Sequence, residues 1–514
     1  MKFTLITPTP PDISSFGIRI ISAYLKEKGN DVQCIFLPGG IDNLKPDGSY
    51  IYKYDKSSLD DICGISKDSD IIGISFMTYY YDRGVQVADY LRSKLTIPVI
   101  FGGTHPTVSP EECLEHCDSV IIGEGEIPLE SMTGKNGDLK STPNLVFKGE
   151  TGFVRNDIVP LITDLDSLPY FDFDLEGQFV LNHKTSKIEA MTEEKLCEHL
   201  PLMPSQSGNF NRTYRTMTTR GCPHECFYCV NKFLKTLYPG QKFLRRRSPE
   251  NVIDELEKIK GKFNFVRGVQ FFDDTFFASS TDYIEKFSNL YREKIGLPIY
   301  CQCSPATVTE KKLDSMLSAG LILLEMGIQT GSDREAQTFH RSESRNQLEK
   351  SLQSIHKKSK NMVRPHYHLI LDSPWLDTND LTATLDLLLK IPAPYKLCLA
   401  SLTFFPGTEL YKKAKKEGLI QDEFRQIYRK PFYRFNGNFM NFLIVLCGVE
   451  FMPRFIIRLL AGKFLVRLCH KRESSFFFTS SIALFEKLRV MYLGIKSLFS
   501  KDLEKISSHM KQIR

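Results

Sequence analysis

Neither a secretory leader nor a membrane span is expected from this sequence. The opening, MKFTLITPTPPD, carries one lysine, a short apolar run and then prolines, which is not the make-up of a signal peptide. The apolar run FLIVLCGV at 442–449 stops after eight residues at Glu450, far short of the ~20 that a spanning helix needs. A cytoplasmic chain with reduced thiols is the expectation. Its 13 cysteines, odd in number and scattered from Cys34 to Cys469, do not read as a disulfide framework. Surplus positive charge is also missing from most of the chain. The region from Lys430 onward holds 15 Lys/Arg against 5 Asp/Glu, a net of +10 within a total of +6, so the residues before it carry a net of −4. No general nucleic-acid surface is expected, and the basic character belongs to the C-terminal region.

What is present is a chain of 514 residues with 42% hydrophobic and 25% charged residues. It is too long for one core, and a prior of ~150 residues per domain gives about three units. Over residues 1–135, short apolar strands (KFTLITP, DVQCIFL, DIIGISFM, IPVIFGG, SVIIGEGE) alternate with helical patterns at 18–28, stopped by Gly29, and at 83–95. That alternation predicts a doubly wound, Rossmann-like parallel sheet, whose ligands bind beyond the carboxyl ends of the strands. Those ends read Ser75-Phe76-Met77, Gly102-Gly103-Thr104-His105-Pro106 and Gly123-Glu124-Gly125-Glu126. A lone glycine pair merely turns the chain. Three such ends in one sheet point to a large bound ligand that the backbone approaches closely.

Residues 136–211 read as a linker with an insertion: 183–209 is polar and unpatterned, an insertion or a flexible lid. Over 212–428, six strand patterns (TYRTMTT, VRGVQFFDD, IYCQCSP, LILLEMGIQTGS, RPHYHLILD, KLCLASLTFF) alternate with helical ones. They predict a partial, open (β/α)6 barrel with its chemistry at the strand carboxyl ends. Ser248 and Pro249 mark the start of the first helix as cap and first residue. After the first strand comes TTRGCPHECFYCVNKF, with Cys222, Cys226 and Cys229 spaced C-x3-C-x2-C. Three thiolates on one loop can hold three irons of a 4Fe–4S cube, leaving the fourth iron for a chelating small molecule. The competing readings are a structural zinc completed by His224, a disulfide with one thiol left over, or three ordinary buried cysteines. Residues 429–514 read as a basic helical region. In RFIIRLLAGKFLVRL (454–468), Arg454/Arg458 and Lys463/Arg467 fall on opposite faces of a straight helix, so aligning them needs a break at Gly462. The region is either a small helical subdomain packed on the barrel or an element that meets a membrane surface or an anionic substrate.

The cysteine spacing is that of the radical S-adenosylmethionine superfamily. RSPENVIDEL, FFDDTFF, AGLILLEMGIQTGS and LTFFPGTELYKKAKKEGLI resemble the strand ends of its cobalamin-dependent branch. The first unit is similar to cobalamin-binding domains that carry D-x-H-x-x-G, then S-x-L, then G-G: here Asp12-Ile13-Ser14-Ser15-Phe16-Gly17, then Ser75, then Gly102-Gly103. Ser14 stands where the cobalt-ligating histidine would be, which implies a corrin without a histidine ligand. The resemblance implies three cofactors: a 4Fe–4S cluster on Cys222, Cys226 and Cys229, S-adenosylmethionine and cobalamin. Tyr228 would pack by the adenine and Asp273 or Asp274 would meet the amino group of S-adenosylmethionine. Gln329 stands where a glutamate is usual, and CSPA at 303–306 where an Arg-Ala pair is common. Ser75, Gly102, Gly103, Thr104, Gly123 and Glu124 would border cobalamin. It further implies an electron donor such as flavodoxin or ferredoxin and a small-molecule or lipid-like substrate. The expected reaction is methylation of an unactivated carbon through a 5′-deoxyadenosyl radical. Oxidation or ring closure, as in the anaerobic cyclase of bacteriochlorophyll synthesis, is the alternative, and a non-catalytic iron–sulfur or zinc protein the reading from another class. No residue is singled out as catalytic.

Overall fold

The computed structural model describes residues 1–8, 13–39, 53–133, 141–207, 209–469 and 474–499. The chain folds into two compact units that exchange segments. The first comprises Met1–Pro201, Arg215–Phe265 and Thr403–Pro431, the second Leu202–Tyr214, Val266–Leu402 and the chain from Phe432.

In the first unit, β1 (Lys2–Thr7), β2 (Asp31–Phe36), β3 (Ile71–Ser75), β4 (Val99–Gly102) and β5 (Ser119–Ile121) are parallel, in the order β5-β4-β3-β1-β2. Their near-continuous burial explains their apolar composition. The direction of winding reverses at β1, which pairs with both β2 and β3, and this is where such sheets bind ligands. Helix Phe16–Glu27 buries Ile18, Ile20 and Leu25 and is closed by Gly29 at φ 79°, as its sequence anticipates. On one flank β6 (Leu145–Gly149) and β7 (Gly152–Arg155) add an antiparallel hairpin. On the other, β8 (Gln178–Asn182) joins β2 in parallel and β9 (Lys187–Ala190) folds back on β8.

These flanks correct the reading of 136–211 as linker and of 183–209 as insertion or lid. Strands β6 to β9 lie within that stretch, and the rest includes helix Glu193–His199, capped by Thr192. A solvated edge hairpin has one dry face at most, so its sequence shows little periodicity. The segment before β8 is held by buried charge. Arg19 lies between the rings of Phe36 and Phe173, and Asp172 accepts from Ser22 Oγ at 2.5 Å and pairs with Lys26 at 2.8 Å.

The chain then forms β10 (Leu202–Pro204) and β11 (Phe210–Thr216), followed by a two-stranded ribbon of β12 (Thr219–Arg220) and β13 (Arg245–Arg246). The second unit is a curled half-barrel sheet. Beside β11 stand β14 (Gly268–Phe271), β15 (Ile299–Cys303), β16 (Leu321–Gln329), β17 (His366–Leu371) and β18 (Lys396–Ser401), parallel from β14 to β18. β10 lies antiparallel along one edge and β18 forms the other, so the barrel is open. Helix Pro249–Lys262 begins on Ser248 and Pro249 as expected: the serine side chain accepts from Asn251 N–H at 3.1 Å. It belongs to the first unit, not to the barrel strands. At the C-terminal end, helix Phe439–Cys447 buries Leu443 and Ile444 completely, and Tyr395 donates to Cys447 C=O at 2.9 Å. FLIVLCGV is thus core of the second unit. Among the described residues no helix is long and apolar enough to cross a membrane. The next helix stops at Leu460 and another starts at Lys463, with Gly462 between them, the position where aligning the two cation pairs would need a break.

Candidate functional site

A cavity of about 300 Å³ opens in the first unit at the carboxyl ends of β1, β3, β4 and β5. Ser75, Gly102, Gly103, Gly123 and Glu124 border it, with Phe16, Gly17, Ile21, Leu168 and Phe171 making its apolar wall. Thr104 does not border it; this residue opens the short helix Thr104–Val108 instead. Ser14 is buried outside the lining, and Asp12 lies outside the described residues. The glycines serve two ends. A Cβ on Gly17 or Gly102 would meet no atom within 4 Å, so each leaves room beside the cavity. Gly103, at φ 93°, permits a close turn, since a Cβ there would stand 2.8 Å from both Phe76 C=O and Ser75 Oγ. An apolar, glycine-cradled cavity at the switch point fits a flat, large ring.

Glu124 and Glu126 do more than line this space. Arg245 grips Glu124 with two nitrogens, at 2.6 and 3.0 Å, and Arg220 reaches Glu124 at 3.1 Å and Glu126 at 2.5 Å. Arg220 and Arg245 are cross-strand neighbours in the ribbon, and Arg220 lies two residues before Cys222. Burial alone would raise the Glu124 carboxyl, but the two guanidiniums hold it below the ordinary carboxylate range. This ion network ties the strand-end loop of β5 to the stem of the cysteine loop, and sequence reasoning missed it. Nothing in the spacing of Arg220 and Arg245 marks them as partners of a loop some 100 residues earlier.

The cysteine loop belongs to the same unit. Of its three cysteines, Cys226 is buried, and Cys222 and Cys229 are partly exposed. Cys229 N–H closes a turn on Cys226 C=O at 3.0 Å, and Leu410 N–H holds Phe227 C=O at 3.0 Å. Tyr228 is partly buried between them. Among the described residues no three His, Cys, Asp or Glu side chains converge on a point as one metal ion requires. Three thiols on one loop can each take its own iron of a cube, so the donor chemistry of this loop suits a cluster.

In the second unit, Asp273 and Asp274 follow β14 and Gln329 ends β16, all at strand carboxyl ends. Asp273 is fully buried and Asp274 exposed, and Thr275 holds the cap position of the next turn. Gln329 sits at φ 65°, a left-handed backbone uncommon for a residue with a side chain. Sequence reasoning passed over a third group here. Glu325 lies between two imidazoles, His366 Nδ1 at 3.2 Å and His368 Nε2 at 3.4 Å. Burial would raise its carboxyl, but the two histidines hold it well below the usual range. The H-x-H alternation on one strand face was the available signal.

His105, from the strand-end motif GGTHPT, is fully buried between Phe76, Tyr81 and Tyr428, away from the cavity lining. Burial lowers its imidazole from 6.5 to about 3. The unfolded chain therefore takes up a proton below pH 6.5 that the folded chain refuses. Its stabilising effect is complete above pH 6.5 and is lost as the pH falls toward 3, by about 2 kcal/mol at pH 5. His105→Gln should flatten that acid slope, read as urea midpoints at pH 7 and pH 5; an unchanged slope would assign acid sensitivity elsewhere.

The model of the B12 binding domain matches residues 4–133, and that of the radical SAM superfamily matches residues 216–388. The chain is 25% identical over 430 residues to an uncharacterized methyltransferase of Pyrococcus horikoshii, PH0819, with 82% of each chain covered. It is 22% identical over 397 residues to the bacteriochlorophyllide d C-8(2)-methyltransferase of Chlorobaculum tepidum, covering 75% of this chain and 77% of the relative. In fold it is similar to the radical S-adenosylmethionine methyltransferase TsrM of Kitasatospora setae, solved with cobalamin and a [4Fe-4S] cluster bound. The TM-score is 0.60 at 15% identity, over 81% of this chain and 78% of that one.

Proposed function

Since the chain belongs to the cobalamin-dependent radical S-adenosylmethionine enzymes, we propose that it methylates an unactivated carbon of a small molecule. In this class the cluster delivers the electron that cleaves S-adenosylmethionine, and cobalamin carries the methyl group. The observation that carries the reading is the pairing, within one compact unit, of a glycine-cradled cavity at a switch point with a three-thiol loop. The naming of relatives that cover most of the chain as methyltransferases supports methyl transfer over oxidation.

In this proposal Cys222, Cys226 and Cys229 hold three irons. Tyr228 packs by the adenine and Asp273 or Asp274 takes the amino group of S-adenosylmethionine. Ser75, Gly102, Gly103 and Gly123 face the corrin. Glu124, engaged by Arg245 and Arg220, orients the loop and does not contact the ring with its carboxylate. The electrons come from a small donor such as flavodoxin or ferredoxin. The test compares metabolites of cells with and without the gene, fed methyl-labelled methionine. A product that is missing without the gene and carries an intact labelled methyl supports the proposal. A missing product without label, changed in oxidation level or ring count, overturns it in favour of a cyclase-like reaction.

A further inference from the structure

The two short helices Arg454–Leu460 and Lys463–Leu468 repeat one arrangement. Each buries a single side chain, Ile457 in the first and Val466 in the second, at 0% and 7% exposure. Each turns two large apolar side chains to solvent: Phe455 and Leu459 at 68% and 73%, then Phe464 and Leu468 at 77% and 68%. At about 100° per residue, the exposed pair lies opposite the buried residue in both helices. Cations sit about a quarter turn away, on the same side of the exposed pair each time: Arg458 in the first helix, Lys463 and Arg467 in the second. No aspartate or glutamate occurs from 451 to 469. Arg458 and Lys463 have no ion-pair partner among the described residues.

We propose that this pair of helices docks the protein on a bilayer rich in anionic lipid, with the four apolar side chains in the acyl–headgroup boundary and the three cations at the phosphates. Exposed apolar side chains this large and this regularly placed mark an interaction surface. Charge selects among occupants. A second copy of the chain would bring the same cations against themselves, and the cores of protein interfaces are poor in lysine. An anionic lipid surface complements both halves of the pattern, the apolar ridge and the basic flank. The inference goes beyond the proposed reaction and does not depend on it.

The test is co-sedimentation of the full-length, cluster-reconstituted protein with vesicles of phosphatidylcholine alone and of phosphatidylcholine mixed with phosphatidylglycerol. Binding at least about tenfold tighter to the anionic vesicles, weakened by salt, is expected. The exposed substitutions Phe455→Ser with Phe464→Ser, and separately Arg458→Glu with Lys463→Glu, should each remove it while iron content stays unchanged. Equal or absent partition to the two vesicle types overturns the proposal. So does lipid-free dimerisation abolished by the Phe455→Ser, Phe464→Ser variant, which would assign the surface to self-association.

Discussion

Alanine at any one of Cys222, Cys226 or Cys229 is expected to abolish both the cluster and the cleavage of S-adenosylmethionine. A cube held by three thiolates has no spare protein ligand, so removing one leaves two irons unheld. The other cysteines offer poor replacements. Burial pushes the Cys34 thiol up to about 11 and the Cys117 and Cys447 thiols to about 12, and raises Cys113, Cys301 and Cys303 further. Such groups stay protonated and sheltered. After anaerobic reconstitution the wild type should hold about four irons and four sulfides per chain and form 5′-deoxyadenosine under a low-potential reductant. The three variants should do neither, and Cys303→Ser should do both. An intact cluster in a loop variant would move the site elsewhere. One zinc per wild-type chain and no deoxyadenosine would overturn the enzymatic reading.

Filling the cradle should separate cobalamin binding from folding. Gly17→Leu replaces a helical glycine whose Cβ position is open. The change should leave stability equal or raised by up to about 1 kcal/mol, while the side chain occupies space beside the cavity. Gly102→Val does the same at the end of β4, where a β-branched residue suits the backbone. Together they should weaken cobalamin retention by about a hundredfold, a loss of ~3 kcal/mol, with cluster content and melting temperature preserved. Gly103→Ala would fail by another route, through strain at φ 93° and the contact with Phe76 C=O. The bound corrin of the wild type should show a spectrum without histidine ligation: Ser14 replaces the expected ligand, and His105 is walled in by aromatic rings. Full cobalamin uptake by the double variant would place the ring elsewhere.

Where physics is local, the sequence announced the structure. The buried parallel strands, the Gly29 stop and the Ser248–Pro249 start are decided within a few residues of themselves, and each could be read directly. The strand-end glycines were legible for the same reason, though Thr104 was not separable from its neighbours without knowing where the chain turns away. The edge strands β6 to β9 escaped because a solvated hairpin carries little hydrophobic period. The Glu124–Arg245 and Glu325–His366 contacts escaped because they depend on registers between distant segments: β12 against β13, and β16 against β17. A charged residue looks the same in sequence whether its partner is water or a buried counter-ion.

The ion network in the first unit also bears on how this protein can be taken apart. The two family matches leave residues 134–215 between them and invite a cut there. The folded chain has no seam there. Arg220 and Arg245 stand on the far side of that cut from Glu124 and Glu126, so severing it would strand Arg245 as a desolvated cation, a change that costs ~3–5 kcal/mol when one side of a buried pair is deleted. The segment Thr403–Pro431 returns to the same unit from beyond Val266–Leu402, so the chain crosses between the two units several times. A domain swap or truncation that respects the sequence families would break the molecule, and because the second unit is likewise assembled from Leu202–Tyr214, Val266–Leu402 and the chain from Phe432, no single cut follows its joints.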